Sequence, residues 1–121
     1  MTAQAQESPR LRMNLDLRNS AEDSSQRMLN AIEPGSMVPI HRHRGTSETL
    51  VVLRGRVVEE YYSSEGTSEA SYELAAGGPV CANNIPAGQW YTLRALESGT
   101  VILEMKDGAY EPICPVDILS M

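Results

Sequence analysis

The sequence predicts an all-β protein, one small antiparallel β-barrel or sandwich. Three observations carry that expectation. Short runs such as Leu11-Arg12-Met13-Asn14-Leu15-Asp16-Leu17 alternate apolar with polar residues, as in a half-buried strand. Runs such as Val57-Val58-Glu59-Glu60-Tyr61-Tyr62 are β-branched and aromatic. Gly, Pro, Ser and Asn punctuate the chain at short intervals, the spacing of an all-β fold.

In order, residues 1–10 are small and polar and are expected as a flexible N-terminal tail. Residues 11–121 are then a single domain, in keeping with a chain of 121 residues. Residues 11–17 are the first strand. Residues 19–25 are a loop or one helical turn, since Asn19 and Glu22 have capping-box spacing. Residues 26–32 fit a strand better than a helix, because Pro34-Gly35 ends the run at once. Strands follow at 37–43, 48–53 and 57–62, with Gly55 in the turn between the last two. A hairpin loop at 63–68 leads to a short strand at 70–74. Further strands are expected at 80–85, 89–93 and 100–106. Gly108, Pro112 and Pro115 break the last fifteen residues into coil that packs on the barrel.

Composition narrows the function. Sixteen acidic residues against ten basic ones give a formal charge of −6. Phosphate backbones are repelled overall, so a nucleic-acid partner is not expected. No apolar run approaches membrane-span length, so no membrane partner is expected either. Residues 1–10 lack the apolar centre of a secretory leader, and the expected location is the cytoplasm. The two cysteines, Cys81 and Cys114, form no disulfide framework, and Cys81 is read as a small buried residue. The alternating strand at 11–17 is well placed to cover an edge, which suggests a homodimer.

Both histidines lie in one stretch. In an extended segment His41 and His43 point the same way, their roots roughly 6–7 Å apart at about 3.3 Å per residue. Glu48 opens the next strand and can complete a two-histidine, one-carboxylate face. That donor set suits one divalent transition metal: Fe, Mn, Ni, Co or Zn. The simpler alternative is a solvated strand face. Arg42, Arg44, Arg54 and Arg56 cluster nearby, either as solvated strand ends or as a rim for an anion such as a sugar phosphate.

Gly35, His41, His43, Glu48 and Gly55 match every fixed position of the first cupin motif, G-x5-H-x-H-x4-E-x6-G. The chain thus resembles a cupin. The resemblance implies a small cupin-type antiparallel β-barrel, a double-stranded β-helix or jelly roll, with His41, His43 and Glu48 at metal-ligand positions. The second motif is altered. Pro86 and Gly88 match, Tyr91 stands where the family has histidine, Ala95 replaces an asparagine, and Gly78 is two residues too far upstream. Three roles are open to Tyr91: a phenolate ligand, a donor to metal-bound water, or an aromatic wall.

Longer segments are similar to the WbuC family of cupin-fold metalloproteins. They include Gln26-Arg27-Met28-Leu29-Asn30, His41-Arg42-His43, Leu53-Arg54-Gly55-Arg56, Ile85-Pro86-Ala87-Gly88-Gln89-Trp90 and Glu104-Met105-Lys106-Asp107-Gly108-Ala109-Tyr110. That resemblance implies a metal and a surface-polysaccharide context.

In cupins the even steps after the motif-ending glycine face inward, which makes Glu59 a candidate general base beside Tyr91. The alternative for Glu59 is solvation on the other face. Glu104 and Lys106 share a strand face and are expected as an ion pair, with contact to a polar substrate group as the alternative. Arg12 and Arg27 are expected to anchor carboxylates within the fold.

The expected function is a metal-binding cupin acting on a sugar, nucleotide sugar or related small metabolite by isomerase- or epimerase-like chemistry. A non-catalytic sugar-binding module and an iron-dependent dioxygenase are the alternatives.

Overall fold

A computed structural model describes residues 1–108 and 113–119. The chain runs α1 (Thr2–Glu7), β1 (Arg12–Asp16), β2 (Ser25–Ile32), β3 (Glu48–Arg54), β4 (Arg56–Tyr62), β5 (Ser68–Ala75), β6 (Ala82–Ile85), β7 (Trp90–Ala95) and β8 (Thr100–Asp107), then a 3-10 turn at Pro115–Asp117. Two antiparallel sheets result. One has the order β1-β2-β8-β3-β6 and the other β5-β4-β7. The all-β expectation holds.

The register explains how the larger sheet divides its inner face. Leu50 and Val52 of β3, Ile85 of β6, Ile32 of β2 and Ile102 of β8 form an apolar core with Val57, Leu74 and Leu93 of the second sheet. The same face turns polar along β1, β2 and β8. There Asn14 pairs with Asn30, and Gln26 lies across Lys106, which lies across Glu48. The apolar half holds the sheets together by burial, and the polar half borders a cavity.

Gly55 joins β3 to β4 at φ +78°, a conformation that favours glycine. A Cβ there would stand 2.9 Å from the Cα of Thr100, so the motif glycine is required by close approach as well. Thr100 is itself fully buried. Its hydroxyl donates to the Glu97 carbonyl at 2.7 Å and accepts from the Arg56 amide at 3.3 Å. Thr100→Val keeps the shape but orphans those groups. It is expected to cost about 1–2 kcal/mol, read from urea unfolding midpoints; an unchanged midpoint would show that the hydroxyl contributes nothing.

Several elements differ from the sequence reading. Where a tail is expected, Thr2–Glu7 is helical and Ala5 is fully buried. Ala and Gln are good helix formers, and Gln6 reaches Glu33 and Ser98. Residues 37–43 form no regular strand. Pro39 has no amide hydrogen for a ladder, and only His41 makes isolated bridges, to Tyr91 and Ile118. Cys81 is exposed, not buried, as is Cys114, and both are free thiols. The coil expected at the C-terminus and the Ala109-Tyr110 end of the WbuC-like segment fall partly or wholly outside the described residues.

Candidate functional site

Backbone bonds tie the two motif segments together. His41 and Tyr91 exchange amide-to-carbonyl bonds at 3.0 and 2.8 Å, and the Gly88 amide donates to the His43 carbonyl at 2.7 Å. The Pro86-x-Gly88 turn thereby aligns residue 91 with both histidines. On its other side the segment is held by Arg42 N to Asp117 O at 3.0 Å and Leu119 N to Ile40 O at 2.7 Å.

The side chains converge as a result. His43 Nε2 lies 3.5 Å from Glu48 Oε2 and 3.4 Å from the Tyr91 hydroxyl. That hydroxyl donates a short hydrogen bond to Glu48 Oε2. The His41 ring centroid is 5.3 Å from that of His43 and 4.4 Å from that of Tyr91. His41 Nδ1 stands 2.8 Å from the Pro39 carbonyl. With the proton on Nδ1, that bond leaves Nε2 as a bare donor atom, the usual preparation of a ligating histidine. Burial depresses the His41 pKa, outweighing the Pro39 bond, and so favours the neutral ring.

Glu104 completes the cluster. It shares a hydrogen bond with Glu48 and accepts from Asn30 Nδ2 at 3.4 Å. Two carboxyls this close hold one proton between them. Burial and the Glu48 charge push the Glu104 pKa up. Burial also acts upward on Glu48, but bonds from His43, Glu104 and Tyr91 outweigh it and hold that carboxyl low. The expected Glu104–Lys106 ion pair does not form: no ion pair of Lys106 occurs among the described residues, because Glu104 is turned to Glu48 instead. Burial first, then the charges of Glu48 and Glu104, raise the Tyr91 pKa well above its ordinary value, so the phenol is neutral here.

Among the described residues, no three His, Cys, Asp or Glu side chains stand in ready metal-holding geometry. The donor chemistry nonetheless fits a divalent transition metal. Two imidazoles and two carboxyls line one end of the same cavity, with His41 Nε2 left free by its Nδ1 bond.

The cavity beside this cluster has a volume of about 250 Å³. His41, His43, Glu48, Tyr91 and Glu104 line one end. Arg10, Arg12, Asn14, Gln26, Asn30 and Lys106 line the rest. Glu59 faces inward as expected and is fully buried, but it does not line this cavity. It accepts from Asn83 Nδ2 at 2.5 Å, and burial raises its pKa to about 7. The arginine rim expected from Arg42, Arg44, Arg54 and Arg56 also lies elsewhere. Arg42 and Arg44 share Asp117, Arg42 stacks on Trp90 at 4.5 Å, and Arg56 meets Glu73 and Glu97. Arg27 does anchor a carboxylate, Asp23.

Glu104 thus belongs to the cluster and not to the expected ion pair, and Arg10, Asn14, Gln26 and Asn30 line the cavity without any sequence motif that marks them. The signal available was the period-two placement of Glu104 and Lys106 on the face of Ile102.

Residues 1–74, more than half of the chain, match the profile of a protein family described as Domain of unknown function (DUF6016). No curated protein sequence matches the chain. Solved structures resemble it closely in fold. The capsular polysaccharide assembling protein CapF from Staphylococcus aureus is 18% identical with a TM-score of 0.70, over 87% of this chain and 30% of that one. KdgF from Halomonas sp. is 15% identical with a TM-score of 0.63, over 86% and 85%. Bacillus subtilis oxalate decarboxylase, described with Mn(II) centres, is 19% identical with a TM-score of 0.64, over 84% and 26%. The chain thus spans less than a third of CapF and of the decarboxylase. These are cupin-fold proteins, and the chain has the cupin fold.

Proposed function

The chain belongs to the DUF6016 family, and from its cupin fold and its site we propose a metal-binding cupin that acts on a small sugar-like metabolite. His41, His43 and Glu48 would hold one divalent transition-metal ion, with Tyr91 and Glu104 against the Glu48 carboxyl. The observation that carries the reading is the meeting of His43, Glu48 and Tyr91 within 3.5 Å, beside a His41 whose Nδ1 is already engaged.

A bound ion supplies Lewis-acid polarisation of a carbonyl or of adjacent hydroxyls. The chain's own part is proton handling. The Tyr91 hydroxyl and the Glu48–Glu104 pair offer a mobile proton at the cavity wall, which suits isomerase- or epimerase-like chemistry. Glu59 lies behind that wall and is not assigned a direct step. A WbuC-like place in surface-polysaccharide metabolism is the context we favour, supported by the fold shared with CapF. The second reading is a non-catalytic sugar-binding module, favoured by the hydrogen-bonded closure of Glu48 with Tyr91 and Glu104.

The test is metal loading. Protein stripped with chelator and titrated with Mn²⁺, Fe²⁺, Co²⁺, Ni²⁺ or Zn²⁺ should take up one ion per chain for at least one of them. Less than about a tenth of an ion per chain at saturation, for every metal, overturns the metal reading. NMR of the loaded protein with candidate sugars then separates turnover from binding.

We also propose a cytoplasmic homodimer. Met13, Leu15 and Leu17 are 37%, 48% and 41% exposed on the outer face of the edge strand β1 and just beyond it, beside Leu29. Such a row invites pairing. Leu15→Lys is expected to convert a species of twice 13.3 kDa to a monomer by light scattering. A wild type already at 13.3 kDa at high concentration would end that proposal.

A further inference from the structure

The ten basic residues of this acidic chain divide sharply by partner. Arg18, Arg27, Arg42, Arg44, Arg56 and Arg94 each meet a carboxylate within 4 Å. Arg10, Arg12, Arg54 and Lys106 meet none among the described residues. Arg54 is exposed on the outside, but the other three line the same cavity beside the histidine cluster. Three cations with no ion-pair partner among the described residues thus border one cavity, whose other end carries Glu48 and Glu104, the latter acting on Arg12 through its charge without an ion pair.

The backbone around the pair is also unusual. Leu11, between Arg10 and Arg12, has φ +56°, in the left-handed region that a bulky residue rarely adopts. It is held there by its amide to the Ser8 carbonyl at 3.0 Å and its carbonyl to the Glu33 amide at 2.8 Å. In an extended chain residues 10 and 12 would simply continue the strand. The left-handed turn folds the chain between them, yet both side chains still border the cavity. Strain of this kind persists where its surroundings over-determine it, and it concentrates at ligand clamps.

The cavity wall supplies complementary acceptors. Gln26 Oε1 and Asn30 Oδ1 are buried without a hydrogen-bond partner. Gln26 lies directly across β8's Lys106, and Asn30 lies across Asn14. A buried amide oxygen without a donor can accept a hydrogen bond from a ligand hydroxyl.

We propose that Arg10, Arg12 and Lys106 form an anion subsite, and that the cavity takes a small polyhydroxyl ligand bearing one carboxylate or phosphate group. The anion lies against the three cations, hydroxyls donate to Gln26 and Asn30, and the opposite end of the ligand reaches the histidine cluster. At about 250 Å³ the cavity lies just below the usual range for drug-sized ligands, about 300–1,000 Å³. A sugar acid or sugar phosphate of monosaccharide size fits this space. Guanidinium groups suit either anion because their forked donors match both geometries.

This inference rests on the proposed sugar-like ligand but not on the metal. The test is calorimetric titration of the full chain, chelated and metal-loaded, with D-glucose 6-phosphate, D-glucuronate, inorganic phosphate and neutral D-glucose. At least one anionic sugar should bind ten-fold or more tightly than glucose. Preference for the phosphate or for the uronate identifies the anion, and either result supports the proposal. Arg12→Gln and Lys106→Gln should each weaken anionic-sugar binding at least ten-fold, while retaining one ion per chain on metal loading. Arg54→Gln, outside the cavity, should leave binding unchanged. Anion binding that persists in chelated protein while no metal ever loads supports the subsite and overturns the metal reading. Glucose binding as tightly as both anionic sugars overturns the subsite. So does an anion affinity that survives both cavity variants within two-fold, or that appears only with metal and ignores them.

Discussion

His41→Ala is expected to abolish metal binding, weakening it by at least about 100-fold, whereas Tyr91→His is expected to strengthen it. Loss of an outer-shell partner alone typically costs about 10–100-fold in affinity, and His41 would be a direct ligand. Its Nδ1 is engaged by the Pro39 carbonyl, so its Nε2 is the atom removed from the cluster. Tyr91 acts in the opposite sense. As a neutral phenol donating to Glu48, it occupies a carboxylate lone pair and contributes no strong donor atom. An imidazole at the same backbone position, held by the two His41–Tyr91 amide bonds, would supply a nitrogen ligand. Calorimetric titration of both variants with Mn²⁺ and Zn²⁺ reads the result. If His41→Ala and Tyr91→His both bind as the wild type does, the ion is held elsewhere or not at all.

Glu59→Gln is expected to stabilise the protein above neutral pH. The carboxyl is fully buried, and its Oε2, like Asn83 Oδ1, has no hydrogen-bond partner among the described residues. A proton on Oε2 converts one of these two orphaned acceptors into a donor. Burial accordingly raises the pKa to about 7 from an ordinary 4.5. The folded protein keeps this proton up to about pH 7, while the unfolded chain releases it near 4.5. Between those values the folded form binds more protons, so its stability falls as pH rises. The full difference approaches about 3 kcal/mol above pH 7. Glutamine is neutral throughout and removes that dependence. Urea unfolding of both proteins from pH 4 to pH 8 should show curves that diverge upward in pH, with the variant the more stable at pH 8. Parallel curves would mean that Glu59 titrates normally in the folded state.

Much of this protein is legible before any coordinates. Five fixed residues, Gly35, His41, His43, Glu48 and Gly55, encode both a turn and a convergence. Gly55 must take a positive φ against Thr100, and Glu48 must open a strand that returns beside the histidines. Local rules suffice there, because each depends on backbone conformation over a few residues. Apolar alternation likewise marks β1 and β8 to within a residue or two. The Pro86-x-Gly88 spacing delivers Tyr91 to the histidines through the Gly88 bond to His43.

Other features depended on which strands became neighbours. Alternation says that Glu104 and Lys106 share a face, but only the β3–β8 register sets Glu104 near Glu48 rather than in water. The same holds for Arg10 and Arg12, which border one cavity on either side of a left-handed Leu11 that no residue pattern announces. Residues 37–43 alternate like a strand, yet Pro39 and the contacts from Asp117 and Leu119 keep them out of either sheet. Sequence determined the fold and the placing of His41, His43 and Glu48 in the candidate site, because those follow from local geometry and a period of two. The cavity, its cations and the buried Glu59 were decided by tertiary structure, because burial and electrostatic partnership arise only when distant strands are brought into register.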